Sequence, residues 1–119
     1  MLKKMEHSRV YRRLQFLLYL KDASVAERKT ALMNITRSQM EAISEVASKV
    51  VQGIVSPMRR DVQTFRHKRT VLRTIVSQQV AFTRKKTLLR RHHSLLPRLL
   101  RPLYLIQTIV HEARTSREA

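Results

Sequence analysis

The scarcity of turn-forming residues is the strongest constraint on how this chain can fold. Its 119 residues include one glycine and three prolines. A fold of strands and tight turns needs many more of both, because they form most such turns. The length suits one domain, and the 43% of apolar residues can supply its core. The sequence therefore predicts an all-α fold, a small bundle of four to six helices with a basic C-terminal half.

Apolar spacing and capping signals predict an N-terminal helical subdomain over residues 1–53. The first helix is expected from about Glu6 to Lys21, with Val10, Leu14, Leu17 and Leu18 on one face. Phe16, Tyr19 and Leu20 widen that face, so we expect this helix to be buried on more than one side.

Two further helices are predicted from capping boxes, in which two side chains satisfy the free N–H groups at a helix start. Ser24 and Glu27 have this spacing, and Ser38 and Glu41 repeat it. The apolar face of the third helix reaches Val51. Gly53 follows at the position where a residue with positive φ ends many helices.

The remaining chain divides into a basic segment, residues 54–93, and an apolar tail, residues 94–119. Ser56 and Pro57 predict the start of a helix that runs to about Ser77, because proline is tolerated at the first helical position. Thr83 is expected to cap the next helix, up to about His92. Pro97 and Pro102 are expected to interrupt the tail. These segments are parts of one domain.

The charge of the chain is large and uneven. Lys and Arg total 25 against 8 acidic residues, a formal charge of +17. Residues 1–53 have 10 basic and 5 acidic residues, whereas residues 54–101 have 13 basic residues and a single acid, Asp61. Such an excess favours a polyanionic partner, because binding relieves the self-repulsion of the folded chain.

The basic segment supplies the predicted nucleic-acid-binding residues. Arg66, Arg69 and Arg73 are spaced to share one helical face, and the cations between Arg84 and Arg91 are expected to share another. The run continues to Arg98 and Arg101. Arginine predominates over lysine, which favours bidentate phosphate contacts. The full set of predicted residues is Arg59, Arg60, Arg66, Lys68, Arg69, Arg73, Arg84, Lys85, Lys86, Arg90 and Arg91.

Catalysis and metal binding are not indicated by the sequence. Neither paired carboxylates nor a nucleophile beside a base form a pattern, so we expect a non-enzymatic protein without a cofactor. His92 and His93 are adjacent and so point about 100° apart on a helix, which does not suit one metal ion. We interpret them, with His67, as part of the basic segment.

Among nucleic acids, the sequence favours a duplex, bound without sequence specificity. We expect double-stranded DNA rather than RNA, although the charge pattern alone does not distinguish the two. Base stacking on single strands needs aromatic residues, which are 5% of the chain. Readout of base edges needs a recognition helix with polar side chains, and no residue is singled out for that role.

Two other classes of function stay open at this point. A minor capsid or assembly protein would use the same arginines against an acidic capsid surface. A membrane-active entry factor would use the tail, since residues 95–110 form a cationic, leucine-rich segment. The other interpretations of that tail are a core helix and a homo-oligomer interface. No run of 18 apolar residues occurs, so a membrane-spanning helix is not expected.

The order of motifs resembles small basic proteins of adintoviruses and related Polinton-type elements. In the first half the likeness rests on residues 11–14, 17–20 and 27–32, followed by a helix ending at Gly53. In the second half it rests on residues 66–68, 72–73, 80–82, 84–86 and 88–89. Those proteins have been likened to the adenovirus core peptide pX. The resemblance implies a packaged virion component associated with viral DNA or the inner capsid, located in the virion and the host nucleus.

One feature departs from that family. Its members commonly have a glycine pair between the basic helix and the apolar tail, whereas this chain has Arg91, two histidines, Ser94 and Leu95 there. A hinge or a processing site that depended on those glycines would be missing.

Overall fold

A computed structural model describes residues 9–103, and for Arg9 and Tyr11 it describes the backbone alone. Within this range the chain forms α-helices and one 3-10 turn and contains no strand, which confirms the all-α prediction. The elements are α1 Arg9–Arg12, α2 Leu14–Asp22, α3 Val25–Met33, α4 Arg37–Val51, a 3-10 turn Arg59–Asp61, α5 Val62–His67, α6 Arg69–Val76, α7 Phe82–Arg91 and α8 Leu95–Leu100.

One hydrophobic core joins all of the described helices. Helix α4 packs along α6 and against α1, while α2 packs mainly against α8. Helix α7 closes the bundle against α3, α4 and α6. Residues from the segments 1–53, 54–93 and 94–119 are all buried in this core, among them Leu17, Ile43, Ile75, Leu89 and Leu99.

The first helix differs from its prediction. The chain leaves helical geometry at Arg13, which separates α1 from α2. Leu17 and Leu20 are fully buried, but Tyr19 is 47% exposed, so the expectation of burial on more than one side holds only in part. Glu6, the expected start, lies outside the described residues.

The first capping box is confirmed. The Glu27 backbone N–H donates to Ser24 Oγ over 3.2 Å, and the Ser24 N–H donates to Glu27 Oε1 over 2.9 Å. The hydrogen bond from the Ser24 backbone is also the main cause that lowers the pKa of the Glu27 carboxyl. Helix α3 therefore begins where the sequence predicts.

The second capping box was predicted at the wrong residues. Thr36 and Gln39 form it, two positions before Ser38 and Glu41. This start places Ile35 just before the cap and Met40 at the fourth helical position, the two sites of a hydrophobic staple, and both residues are buried. A start at Ser38 would place Arg37 and Ala42 at those sites, so burial decides between two equivalent local signals.

Gly53 ends α4 as predicted, with a φ of 76°. Its N–H donates to the Val50 carbonyl over 3.1 Å, and the Ile54 N–H donates to the Lys49 carbonyl over 2.9 Å. This pair of bonds is a Schellman motif, and it satisfies carbonyls that the helix leaves without partners.

The predicted helix from Pro57 to Ser77 is replaced by three elements. Met58 is extended, and the 3-10 turn at Arg59 precedes α5. Lys68 then bends the path between α5 and α6, although the Leu72 N–H still donates to the Lys68 carbonyl over 3.1 Å. Thr83 was also predicted wrongly as a cap, because α7 begins at Phe82 and Ala81 precedes it.

The described part of the tail belongs to the core. Leu95, Leu96, Leu99, Leu100 and Leu103 are each at most 2% exposed. Pro97 does not interrupt the tail as predicted, because it lies in the first turn of α8, where a missing N–H costs no helical hydrogen bond. Tyr104 and the residues after it lie outside the described range. Within residues 9–103, none of the helices has the length and apolarity needed to cross a membrane.

Candidate nucleic-acid interface

The predicted binding residues separate by type. All eight predicted arginines are exposed, while the three predicted lysines are half-buried. We call these eight residues the arginine-rich surface: Arg59, Arg60, Arg66, Arg69, Arg73, Arg84, Arg90 and Arg91.

The single acid of residues 54–101 is removed from this surface. Asp61 is 0% exposed, at the end of the 3-10 turn. Arg98 Nη1 donates to Asp61 Oδ1 over 3.0 Å, and Arg101 Nη1 lies 3.3 Å from the same oxygen. Two cations at the end of the basic run are therefore internal ion-pair partners. No acidic side chain of residues 54–101 remains exposed to weaken the attraction for a polyanion.

Arg66, Arg69 and Arg73 lie together, as their spacing predicts. They line an open groove of about 400 Å³ between α4 and the pair α5–α6. The groove is otherwise apolar, and the contributing residues are Val50, Val51, Pro57, Val62, Phe65 and Leu72. We call it the arginine groove. Sequence reasoning missed the apolar part of the groove, because Val51 was predicted to lie on the buried face of its helix.

A contact between two half-buried side chains connects α7 to the α5–α6 junction. Lys68 Nζ lies 3.4 Å from His92 Nδ1, across 24 residues of sequence. Burial lowers the pKa of His92, and the positive charges of Lys68 and Arg91 lower it further. The end of α7, with Arg90 and Arg91, is therefore next to the start of α6, where Arg69 lies.

The cations of α7 do not share one face, contrary to the prediction. Consecutive residues are about 100° apart on a helix, and Leu89 is buried while Arg84, Arg90 and Arg91 are exposed. Lys85 lies four residues before Leu89, on the inward side. It lines a groove of about 570 Å³ together with Glu41. Burial lowers the pKa of Lys85, and the Glu41 carboxylate acts in the opposite direction.

The three histidines of the basic segment have different surroundings. His67 Nε2 is 3.2 Å from Gln63 Nε2, on the exposed side of α5. His93 is half-buried, and burial followed by the charges of Arg28 and Lys29 lowers its pKa. Arg28 itself is only 8% exposed and donates to the Ala23 carbonyl over 2.7 Å. Residues 9–103 contain no cluster of three or more potential metal-ligating His, Asp or Glu side chains.

The described residues thus define a small all-α bundle whose basic half exposes arginine and buries its acid. Comparison of the chain with protein-family models, with characterised proteins and with solved structures gives no significant match.

Proposed function

We propose that this chain is a non-enzymatic, virion-associated protein that binds double-stranded DNA, neutralises it and helps to package it. The observation that carries the proposal is that Asp61 is buried, whereas the eight arginines of the same segment, residues 54–93, are exposed. A surface of one sign attracts a polyanion through release of its counterions. Virion and nuclear locations rest on the resemblance to the adintovirus proteins alone.

The arrangement of the cations suits a continuous phosphate backbone, and the surroundings of Phe82 favour a duplex over a single strand. The contact between Lys68 and His92 brings arginines of α6 and α7 near each other, so both helices can contact one phosphate backbone. The Arg37 guanidinium lies over the half-buried Phe82 ring, 5.2 Å from the ring centroid. Because the guanidinium covers this face of the ring, the face does not stack on a base of a single strand.

A salt titration of binding to duplex DNA tests the proposal. Replacing Arg84, Arg90 and Arg91 with glutamine removes up to three phosphate contacts. The slope of log K against log salt should flatten by up to about three units, roughly one per contact. The triple variant of Arg66, Arg69 and Arg73 should behave similarly. These side chains are exposed, so circular dichroism should show the helical content unchanged.

A matched control removes three exposed charges elsewhere: Arg12, Arg13 and Lys29 replaced with glutamine. Arg13 makes one hydrogen bond, to the exposed Ser38 hydroxyl over 2.9 Å. This variant should keep the wild-type slope within about one unit. An equal change in the control, or no change in either test variant, would overturn the assignment to the arginine-rich surface.

The kind of nucleic acid is tested by what copurifies with the protein. The expected result is an absorbance ratio typical of bound nucleic acid, removed by a nuclease specific for duplex DNA. Material sensitive only to ribonuclease would replace DNA with RNA in the proposal.

A further inference from the structure

The arginine groove has a composition that DNA binding does not explain. Three arginines line it, and the other six lining residues are apolar. Phosphates need cations and gain nothing from exposed valine. A groove with adjacent basic and apolar sides instead matches a helix that has adjacent acidic and apolar faces. We infer that the arginine groove binds an acidic amphipathic helix of a partner protein.

Exposed apolar residues at the end of α4 support this inference. Val51 is 47% exposed, although the sequence places it on the buried face of α4. Ile54, three residues further, is 67% exposed. In a Schellman motif this residue usually packs back onto the last turn, but here that turn has Lys49 at the corresponding position. The end of α4 therefore presents apolar surface beside the arginines, a combination typical of an interaction site.

The positive charge of the groove indicates what kind of partner binds there. Guanidinium groups bind carboxylates bidentately, so the three arginines that line the groove favour a partner helix with Glu or Asp along one face. Residues 1–8 and 104–119 of this chain have no acidic excess, since they include Lys3, Lys4, Arg114 and Arg117 beside three glutamates. A second copy of the chain would carry another charge of +17. An acidic partner is the occupant with complementary charge.

The groove dimensions fit such a helix. A volume of about 400 Å³ is at the lower end of ordinary ligand sites and holds a few side chains rather than a whole domain. We therefore expect apolar residues at positions i, i+3, i+4 and i+7 of the partner to enter the groove, with carboxylates one helical face away against Arg66, Arg69 and Arg73.

Two synthetic peptides separate this binding mode from charge alone. One is a 16-residue helix of glutamate and leucine, with leucine at the spacing above; the other has the same composition scrambled. Both carry the same charge. The wild-type protein should prefer the amphipathic peptide by about tenfold or more, as expected for one well-buried apolar anchor. Equal affinities would overturn the inference.

A pair of matched variants locates the binding. Val51→Gln should abolish the preference between the two peptides, whereas duplex DNA should bind as before. Val25 is the control, because it is 49% exposed at the start of α3, away from the groove. Val25→Gln should keep the preference. A preference that survives Val51→Gln, or is lost in Val25→Gln, contradicts the assignment.

A label provides a second measurement that does not depend on affinity. The chain contains no cysteine, so Val51→Cys and Val25→Cys each accept one environment-sensitive fluorophore. The amphipathic peptide should shift the emission at position 51 and leave position 25 unchanged. If the amphipathic peptide leaves the emission at position 51 unchanged, or shifts both positions equally, the inference is wrong. Since the inference does not rest on DNA binding, the salt titration can fail while these results hold.

Discussion

Asp61 and Arg98 form a hydrogen-bonded ion pair of 3.0 Å across 37 residues of sequence. The pair connects the start of α5 to α8. Arg101 adds a second positive charge, with its Nη1 3.3 Å from Asp61 Oδ1. Because the carboxylate is fully buried, its charge depends on these two arginines for compensation. The single acid of residues 54–101 is thus a structural element of the bundle.

Asp61→Asn should destabilise the fold markedly. Loss of one partner of a buried pair leaves uncompensated charge and costs about 3–5 kcal/mol. Here the arginines are partly exposed, at 38% and 25%, so we expect about 2–3 kcal/mol in urea unfolding. The control is Asp22→Asn, whose carboxylate is 76% exposed and 3.6 Å from Lys21; its effect should stay below about 1 kcal/mol. Equal losses would contradict a structural role for Asp61.

Leu99→Ala tests whether the tail is part of the core. Leu99 is 1% exposed, so truncation should lower the free energy of unfolding by about 2–5 kcal/mol. Met33→Ala is the comparison, because Met33 is 55% exposed and should lose about 0.5 kcal/mol or less. A tail whose leucines served only a membrane would give two similar, small values.

Replacement of the two candidate caps of α4 should give unequal results. Thr36→Ala removes the hydroxyl that accepts the Gln39 N–H over 3.1 Å, at a cost of about 1 kcal/mol. Ser38→Ala removes only the exposed contact with Arg13 and should cost a few tenths of that. Thermal unfolding of both variants checks the order, which would reverse if Ser38 were the cap.

Acidification should weaken the fold before the carboxylates titrate. Burial and nearby cations lower the pKa of His92 and of His93 below the ordinary value of 6.5. The unfolded chain therefore takes up protons at a higher pH than the native state does. The stability that the two neutral histidines contribute is complete above about pH 6.5. It is lost as the pH falls through their lower pKa values in the native state. Unfolding between pH 7 and 5 should show the decline.

The double variant His92→Gln and His93→Gln should flatten that decline. Between pH 7 and 8 both proteins should show the same slope, because both histidines are then neutral. An undiminished decline in the double variant would place its cause in other groups. The shift below the ordinary value comes from burial and from the nearby charges of Lys68 and Arg28, which sequence spacing does not reveal.

Local signals predicted much of the fold correctly. The cap at Ser24, the turn at Gly53 and the apolar periods of α4 and α6 depend on neighbours within one or two turns. Two of the errors arise from packing against the rest of the bundle, which local signals do not show. The start of α4 moves to Thr36 to bury Ile35 and Met40, and Lys85 turns inward because α7 packs against α3 and α4.

In the candidate interface, too, local spacing predicts some features, whereas others depend on residues distant in sequence. Spacing alone brings Arg66, Arg69 and Arg73 together, because they lie along two nearly continuous helices. The burial of Asp61 required Arg98 and Arg101, and the apolar side of the groove required Val51 from α4. Composition counts Arg98 among the cations available to a partner, although α8 directs it toward Asp61.

The packing of α2 against α8 also sets an order of events during synthesis. Helix α2 ends at Asp22, and the helix it mainly packs against begins at Leu95. At about 5–20 residues per second, a ribosome needs roughly 4–15 s to make the chain between them. Throughout that time Leu17 and Leu20 lack their main partners, while the strongly basic helices emerge beside ribosomal RNA. The nascent chain therefore cannot enclose α2 until α8, the last described helix, has been made.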